Sequence, residues 1–455
     1  MKNRALLKAT LFPWLICGLG ALFYSYEYLL RMSPSVMQEN LMRFYNLTGT
    51  QFGYLSGSFY YLMYVAMQIM VGLLMDRFGP RRLLTVACFL CASGAFLFAC
   101  SSYFSVAIAG RFLIGFGSAF AFVGAAKLAT IWLPPHRFAL VSGIIFCLGM
   151  LGAMFGDTVL RVLVDTINWQ VAIYAAAAGG IVISMLIWLV VRDVNPFYSD
   201  HHSHHTPNLQ QVLSGLWQAL GNSQIWLCGL VGCLMYFFLY CFAEYCAPAY
   251  LEQARGLSRL NATGATSMVF LGCAIGAPLL GWFSDYLGRR RLPIMLAAIG
   301  ALVVISLLLY THDLSLKAIY ILLFAYGFLS SAQILMFAIA REVTPIKISG
   351  TAVGLLNMLI MVGGIFFPPI IGKLLDLNWA GTMLDGARVY SIHAYTMALS
   401  VLPIALALSI VSMLSIKETY CKIQVDEHPQ GDDVRESGKH DSNNIPVTAD
   451  AACSG

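Results

Sequence analysis

Apolar residues run through the chain in long blocks, broken by short polar joints, with no sustained alternation of period two. A helix that crosses a bilayer needs about 20 predominantly apolar residues. On that rule the pattern predicts twelve spanning helices. Six fall at 11–36, 50–74, 83–101, 104–132, 138–161 and 170–191, and six at 224–249, 264–284, 292–311, 316–341, 350–375 and 391–415. Residues 192–223 between the two sets are polar, with Asn195-Pro196 and the cluster His201-His202-Ser203-His204-His205. Their second part, 209–220, has a weakly amphipathic pattern suited to the membrane surface. The residues after 415 are polar and mixed in charge, which predicts a disordered tail. The expectation is an all-α membrane protein: a six-helix bundle over 1–191, a central loop over 192–223, a second bundle over 224–415 and a tail over 416–455.

One joint is written twice. Residues 72–82 read Gly-Leu-Leu-Met-Asp-Arg-Phe-Gly-Pro-Arg-Arg, and residues 281–291 read Gly-Trp-Phe-Ser-Asp-Tyr-Leu-Gly-Arg-Arg-Arg. Gly72 and Gly281, Asp76 and Asp285, and Gly79 and Gly288 each stand 209 residues apart. A fixed offset over half a chain marks an internal duplication. Each copy joins the second predicted helix of its half to the third. Gly72 and Gly281 are expected to allow close helix contact, Asp76 and Asp285 to sit at helix ends, and Gly79 and Gly288 to make tight turns. Arg77, Arg81 and Arg290 can pair with the aspartates or with a neighbouring helix end.

Composition agrees with the bilayer. The 455 residues are 59% hydrophobic and 11% charged, with a mean hydropathy of +0.74; a soluble domain carries about 25% charged residues. The net charge of +5 is small and no basic, aromatic-laced stretch occurs, so nucleic acid is not an expected partner. Most of the 12 cysteines lie in apolar runs, including Cys88 and Cys91, and read as small buried side chains. Lysine and arginine fall mostly on one side of the predicted spans, which places both termini in the cytosol and keeps the first apolar run as a span. The sequons at Asn46 and Asn261 then lie in external loops. No glycine-rich nucleotide loop or nucleophile elbow is present and the polar segments cannot hold a core, so neither an enzyme nor a cofactor is expected.

The repeated joint carries a resemblance. Gly-x-x-x-Asp-Arg-x-Gly-x-Arg-Arg after a second span resembles the signature of the major facilitator superfamily, and residues 281–291 resemble its second-half copy. Arg111-Phe-Leu-Ile-Gly-Phe-Gly117 resembles that family's fourth-helix motif, continued by Trp132-Leu-Pro-Pro-His-Arg137 and echoed at Pro345-Ile-Lys347. More finely, residues 26–37 and 110–135 resemble facilitators of intracellular gamma-proteobacteria, including phagosomal nutrient and amino-acid transporters. The lysosomal dipeptide carriers are more distant: where they have an acidic residue, this chain has Ser118-Ala-Phe120. The resemblance implies two pseudo-symmetric six-helix bundles with a mid-membrane substrate site exposed alternately to either side. It also implies that the repeated joint is a cytosolic latch whose Asp–Arg contacts favour the outward-open state.

An ionisable residue inside a span costs about 2.5–3.5 kcal/mol on insertion scales, so each is a functional candidate. Glu27 and Arg31 stand at i, i+4 with Tyr24 on the same face. They can neutralise each other, or Glu27 can carry a proton or bind an ammonium while Arg31 faces a carboxylate. Arg111 has Tyr320 at the repeated position, so its charge is not scaffold, and it reads as a gating or proton-coupling residue. Lys127, turned about 160° from Arg111, faces the cavity or snorkels to the surface. Asp157 and Arg161 answer Arg111 or each other. Glu244 lies among Tyr236, Tyr240 and Tyr245, in a cavity wall or an interfacial belt. Gln333 and Asn357 can hydrogen-bond a neutral substrate or link helices. Arg341 and Glu342 read as gate residues. The histidine cluster sits in a solvated linker without further ligands, and no metal site is assigned to it.

These features point to a monomeric secondary transporter of a bacterial inner membrane, importing a small polar or anionic nutrient such as an amino acid, with a proton as the coupling ion carried by Glu27 or Asp157. Uniport of dipeptides or organic anions is the alternative mechanism. An efflux carrier is disfavoured because residues 149–156 lack the Gly-Pro of the antiporter motif. A transporter-like receptor would not need two intact latches.

Overall fold

The computed structural model describes residues 2–133, 138–194, 209–311, 313–345, 348–384 and 386–422. The histidine cluster, the 134–137 loop, Lys347 and the tail from 423 onward lie outside the described residues.

The described chain is nearly all helical. The long helices are α1 (Lys2–Val36), α2 (Gly49–Phe78), α3 (Pro80–Cys100), α4 (Phe104–Trp132), α5 (Phe138–Thr166), α6 (Trp169–Val190), α7 (Ser223–Ala243), α8 (Arg259–Leu287), α9 (Arg291–Tyr310), α10 (Leu316–Glu342), α11 (Ser349–Leu377) and α12 (Ile392–Met413). Each meets one of the predicted spans. Among the described residues eleven helices are long and apolar enough to cross a membrane.

The duplication is visible in the packing. In the first half α1 packs on α5, α3 on α4 and on α6, and α2 on α4. In the second half the same pairs recur six helices later: α7 on α11, α9 on α10 and on α12, and α8 on α10. The halves meet through α5 against α8 and α2 against α11, again related by the same shift. The α2–α11 contact is very close. A Cβ built on Gly53 would lie 2.6 Å from the Pro369 backbone, and one on Gly57 would lie 2.6 Å from the Pro368 ring. Only glycine lets these two backbones approach so nearly.

Two helices widen locally. Residues Tyr54–Ser58 of α2 and Leu239–Ala243 of α7 form π-helical turns. Such a turn shifts the i→i−4 ladder and exposes carbonyls to other donors. The segment predicted to lie along the membrane surface forms the helix Leu209–Leu220. Its apolar residues Leu216, Ala219 and Leu220 pack on Ile225, Ala352 and Leu355, which seats it against α7 and α11.

The two turns of the repeated joint need a left-handed or otherwise restricted backbone. Gly79 has φ +80° and Gly288 has φ +61°. The expectation for Gly72 and Gly281 is corrected: a Cβ at either meets nothing within 4 Å, because both face away from neighbouring helices.

Candidate functional site

The centre of the molecule is a buried arginine between two carboxylates. Arg31 of α1 is 3% exposed, Glu27 is 1% and Glu244, immediately after α7, is 5%. The Arg31 guanidinium lies 3.2 Å from Glu244 and 3.8 Å from Glu27. Tyr61 of α2 bridges the halves: its hydroxyl accepts from Arg31 and donates to Glu244 Oε2 at 2.5 Å. Tyr60 donates to Glu27. The rings of Tyr28, Tyr60, Tyr61 and Tyr64 surround Arg31 with centroids 4.9–5.8 Å from its Cζ, within cation–π range. Tyr24 packs edge-on against Tyr28 at 5.1 Å. Glu244 is contacted at both oxygens: Oε2 accepts from Tyr61, and Oε1 faces Arg31 Nε at 3.2 Å in an ion pair without hydrogen-bond alignment among the described residues.

Arg111 is fully buried in α4, and its partners are carbonyls. It donates to Leu55 (3.1 Å), Ser56 (2.5 Å) and Leu30 (3.1 Å). The first two belong to the π turn of α2. Arg111 also lies 5.0 Å from the Tyr60 ring centroid. It thus fixes α1 next to Arg31 and α2 next to Tyr60 and Tyr61. The expected pairing with Asp157 is corrected. Asp157 is fully buried, and both its oxygens lack a hydrogen-bond partner among the described residues. Nor does Asp157 answer Arg161, which turns to the Val36 carbonyl (2.7 Å), Asp165 (3.1 Å) and Glu252 (3.9 Å).

At the end of the molecule that carries the repeated joint, the latch is built differently from the expectation. Asp76 pairs with Lys127 at 2.7 Å, so Lys127 belongs to this end and not to the central cluster. Arg81 reaches the Trp188 carbonyl at 2.8 Å, and its backbone N–H donates to Asp193 (2.8 Å). Arg77 stacks on Phe78. In the second copy Arg290 pairs with Asp285 at 2.6 Å and with Glu342 at 2.8 Å. Glu418 accepts from the backbone N–H groups of Arg290 and Arg291 at 2.7 and 3.0 Å. In each half, therefore, an acid following the sixth helix caps the start of the third, where the helix dipole favours negative charge. These ion pairs stay within one half.

The opposite end joins the halves. Asp376 at the end of α11 accepts from Gly49 N (2.9 Å), Thr50 N (2.8 Å) and Thr50 Oγ1 (2.7 Å) of α2, and from Tyr390 and Arg388 of its own half. Arg259 pairs with Glu39 at 2.8 Å and lies 3.7 Å from Asp165 across the interface.

Gln333 is buried, with its Oε1 lacking a hydrogen-bond partner among the described residues, and Asn357 donates to Gln68 of the other half at 2.9 Å. The reading from the sequence missed Tyr60, Tyr61, Tyr64 and Gln68. Their spacing, Tyr-Tyr-x-x-Tyr-x-x-x-Gln, is a polar stripe on one face of an apolar span, and that was the available signal.

A family model described as Major Facilitator Superfamily matches residues 15–368 and 244–414. The chain belongs to that superfamily. It is thus a multi-pass membrane transporter and not an enzyme. Among curated relatives it is 25% identical to the probable sulfoacetate transporter SauU of Cupriavidus necator, over 80% of this chain and 87% of that one. It is 26% identical to the probable galactarate/D-glucarate transporter GudP of Escherichia coli K12, over 83% and 90%. Among solved structures, a bacterial homolog of the human lysosomal transporter Spinster, inward-facing and occupied, superposes with a TM-score of 0.71 at 15% identity, covering 89% of this chain and 96% of that one. The nucleoside transporter NupG, solved as a point mutant, gives 0.68 at 11% identity, covering 88% and 99%. At these identities the structural likeness speaks to fold alone.

Proposed function

We propose that this transporter imports a small organic anion together with a proton, and that Arg31 is the anion-binding residue. The observation that carries the reading is the placement of Arg31, from the first half, against Glu244, from the second. With Glu27 and Arg111 included, the cluster holds two cations and two carboxylates, so it is neutral when all are ionised. An incoming carboxylate or sulfonate would take the place of Glu244 on Arg31. A displaced, buried, unpaired carboxylate is costly, about 3–5 kcal/mol for a broken buried pair. Protonating Glu244 or Glu27 removes that cost. One singly charged anion with one proton, or a dianion with a proton on each of Glu27 and Glu244, then leaves the cluster neutral, and the loaded site can be re-exposed without carrying net charge through the membrane.

The ion pairs across the far end, and their confinement to single halves at the latch end, support a conformation open toward the latch side. With the latch side and both termini cytosolic in a bacterial inner membrane, this is the inward-facing state of a monomer. The named substrates of the relatives, sulfoacetate and galactarate/D-glucarate, favour an organic anion over a neutral solute. A second reading, an amino acid, draws on the same residues: Arg31 for its carboxylate and Glu27 or Glu244 for its ammonium.

A melting screen of the purified protein against sulfoacetate, D-galactonate, glutamate and leucine separates the readings, since a ligand stabilises the state it binds. The anions should raise the melting temperature and leucine should not. Stabilisation by leucine alone would move the assignment to amino acids.

A further inference from the structure

We propose that Gln68 and Asn357 form a second pole of the substrate site, which selects anions bearing hydroxyl groups along their carbon chain. This rests on the anion reading above and adds the class of acid. The two amides meet across the halves: Asn357 Nδ2 donates to Gln68 Oε1 at 2.9 Å. Gln68 is 7% exposed, and its Nε2 has no aligned hydrogen-bond partner among the described residues, although the Tyr64 hydroxyl lies within reach of both amides. A buried donor left unpaired in an apolar helix bundle is unfavourable, and a ligand oxygen is what would satisfy it.

The placement is set by helix geometry. On α2, Gln68 follows Tyr64 by four residues, and the Tyr64 ring centroid is 5.8 Å from the Arg31 guanidinium. On α11, Asn357 precedes Met361 by four residues, and Met361 Sδ accepts from Arg31 Nη2 at 3.7 Å. Both amides therefore lie four residues, about 6 Å along the helix axis, beyond side chains that touch Arg31. That is the reach from a carboxylate to hydroxyls two or three carbons away. The amides are neutral and offer both donors and acceptors, which suits hydroxyls and gives no purchase on an alkyl chain. A site built to hydrogen-bond a hydroxyl rejects the analogue lacking it, because the buried amide is left unpaired.

The test is calorimetric titration of the full chain in detergent with threonate (2,3,4-trihydroxybutanoate) and with butanoate, which share a carbon chain and a charge. Wild-type protein should bind threonate at least about tenfold tighter. Gln68→Leu and Asn357→Ser, with folding checked by melting temperature, should lose threonate affinity until the two acids bind alike, leaving butanoate affinity unchanged. Equal wild-type affinity for the two acids overturns the subsite while sparing the anion reading. So does an unchanged preference in both variants. Equal loss of both acids in folded variants makes the pair a contact between the halves and not a selector. If wild-type protein binds neither acid nor any anion of the melting screen, the anion reading itself fails.

Discussion

Asp376→Asn tests how the far end is held shut. The Asp376 carboxylate is 16% exposed and caps the start of α2 from the other half. Three of its contacts, to Gly49 N, Thr50 N and Thr50 Oγ1, exist only while the halves meet; those to Tyr390 and Arg388 persist when they part. Asparagine keeps one acceptor oxygen and sets an N–H donor in place of the other, facing donors on α2. Hydrogen bonds to a charged group are worth about 1.5–3 kcal/mol net, and a carboxylate at a helix start adds about 0.3–1 kcal/mol. Losing one such bond and the dipole interaction costs the closed far end at least about 2 kcal/mol, roughly a 30-fold shift toward opening. Hydrogen exchange read by mass spectrometry needs no added cysteine, which suits a chain with Cys100 exposed. Peptides covering residues 49–58 and 386–390 should exchange up to about 30-fold faster, while α6 stays protected. Unchanged protection at residues 49–58, or an equal rise in α6, would refute the reasoning.

Three further outcomes are expected. Arg31→Lys keeps the charge but cannot reach Tyr61, Glu244 and Glu27 together, so anion affinity should fall at least about tenfold by calorimetry; retained affinity would remove Arg31 from the site. Asp157→Asn should leave the melting temperature unchanged or higher, because the buried carboxyl has no hydrogen-bond partner among the described residues to lose; a drop of several degrees would mean an ionised, paired Asp157. Burial pushes the Glu252 carboxyl up from its ordinary value of 4.5, against the pull of Arg161 and Arg259. Its folded value is thus above its unfolded one, so its stabilising contribution is whole below pH 4.5 and is lost as pH rises through the raised value. Glu252→Gln should flatten the melting curve over that window, and an identical slope in the variant would contradict this.

The fold was legible in the sequence because a bilayer leaves few choices. A span must satisfy its own backbone, so an apolar run of the right length is a helix, and the duplicated joint announced the two halves. Glu27, Arg31 and Glu244 were legible as charges where charges are costly. What was not legible was pairing. Asp157 and Arg161 stand at i, i+4, yet Arg161 is drawn to the far-end carboxylates and Asp157 is left alone. Lys127 has a long stem and reaches Asp76 on another helix, which spacing within α4 could not reveal. Arg111 looked like a charge in search of an acid, but the π turn of α2 supplies it with carbonyls. Tyr60 and Tyr61 do not stand out among the many tyrosines of the apolar runs, and only the packing shows that their hydroxyls carry the links to Glu27 and Glu244.

The central claim is that an anion and a proton share the cluster around Arg31. The direct measurement is uptake of a radiolabelled anion from the melting screen into proteoliposomes with an inward proton gradient, for wild-type protein, Glu27→Gln and Glu244→Gln. The account predicts accumulation above equilibrium by wild-type protein that collapses when the gradient is dissipated, and a variant that exchanges anion across the membrane but does not accumulate it. Accumulation equal to wild type by both variants, or wild-type uptake indifferent to the gradient, would contradict it.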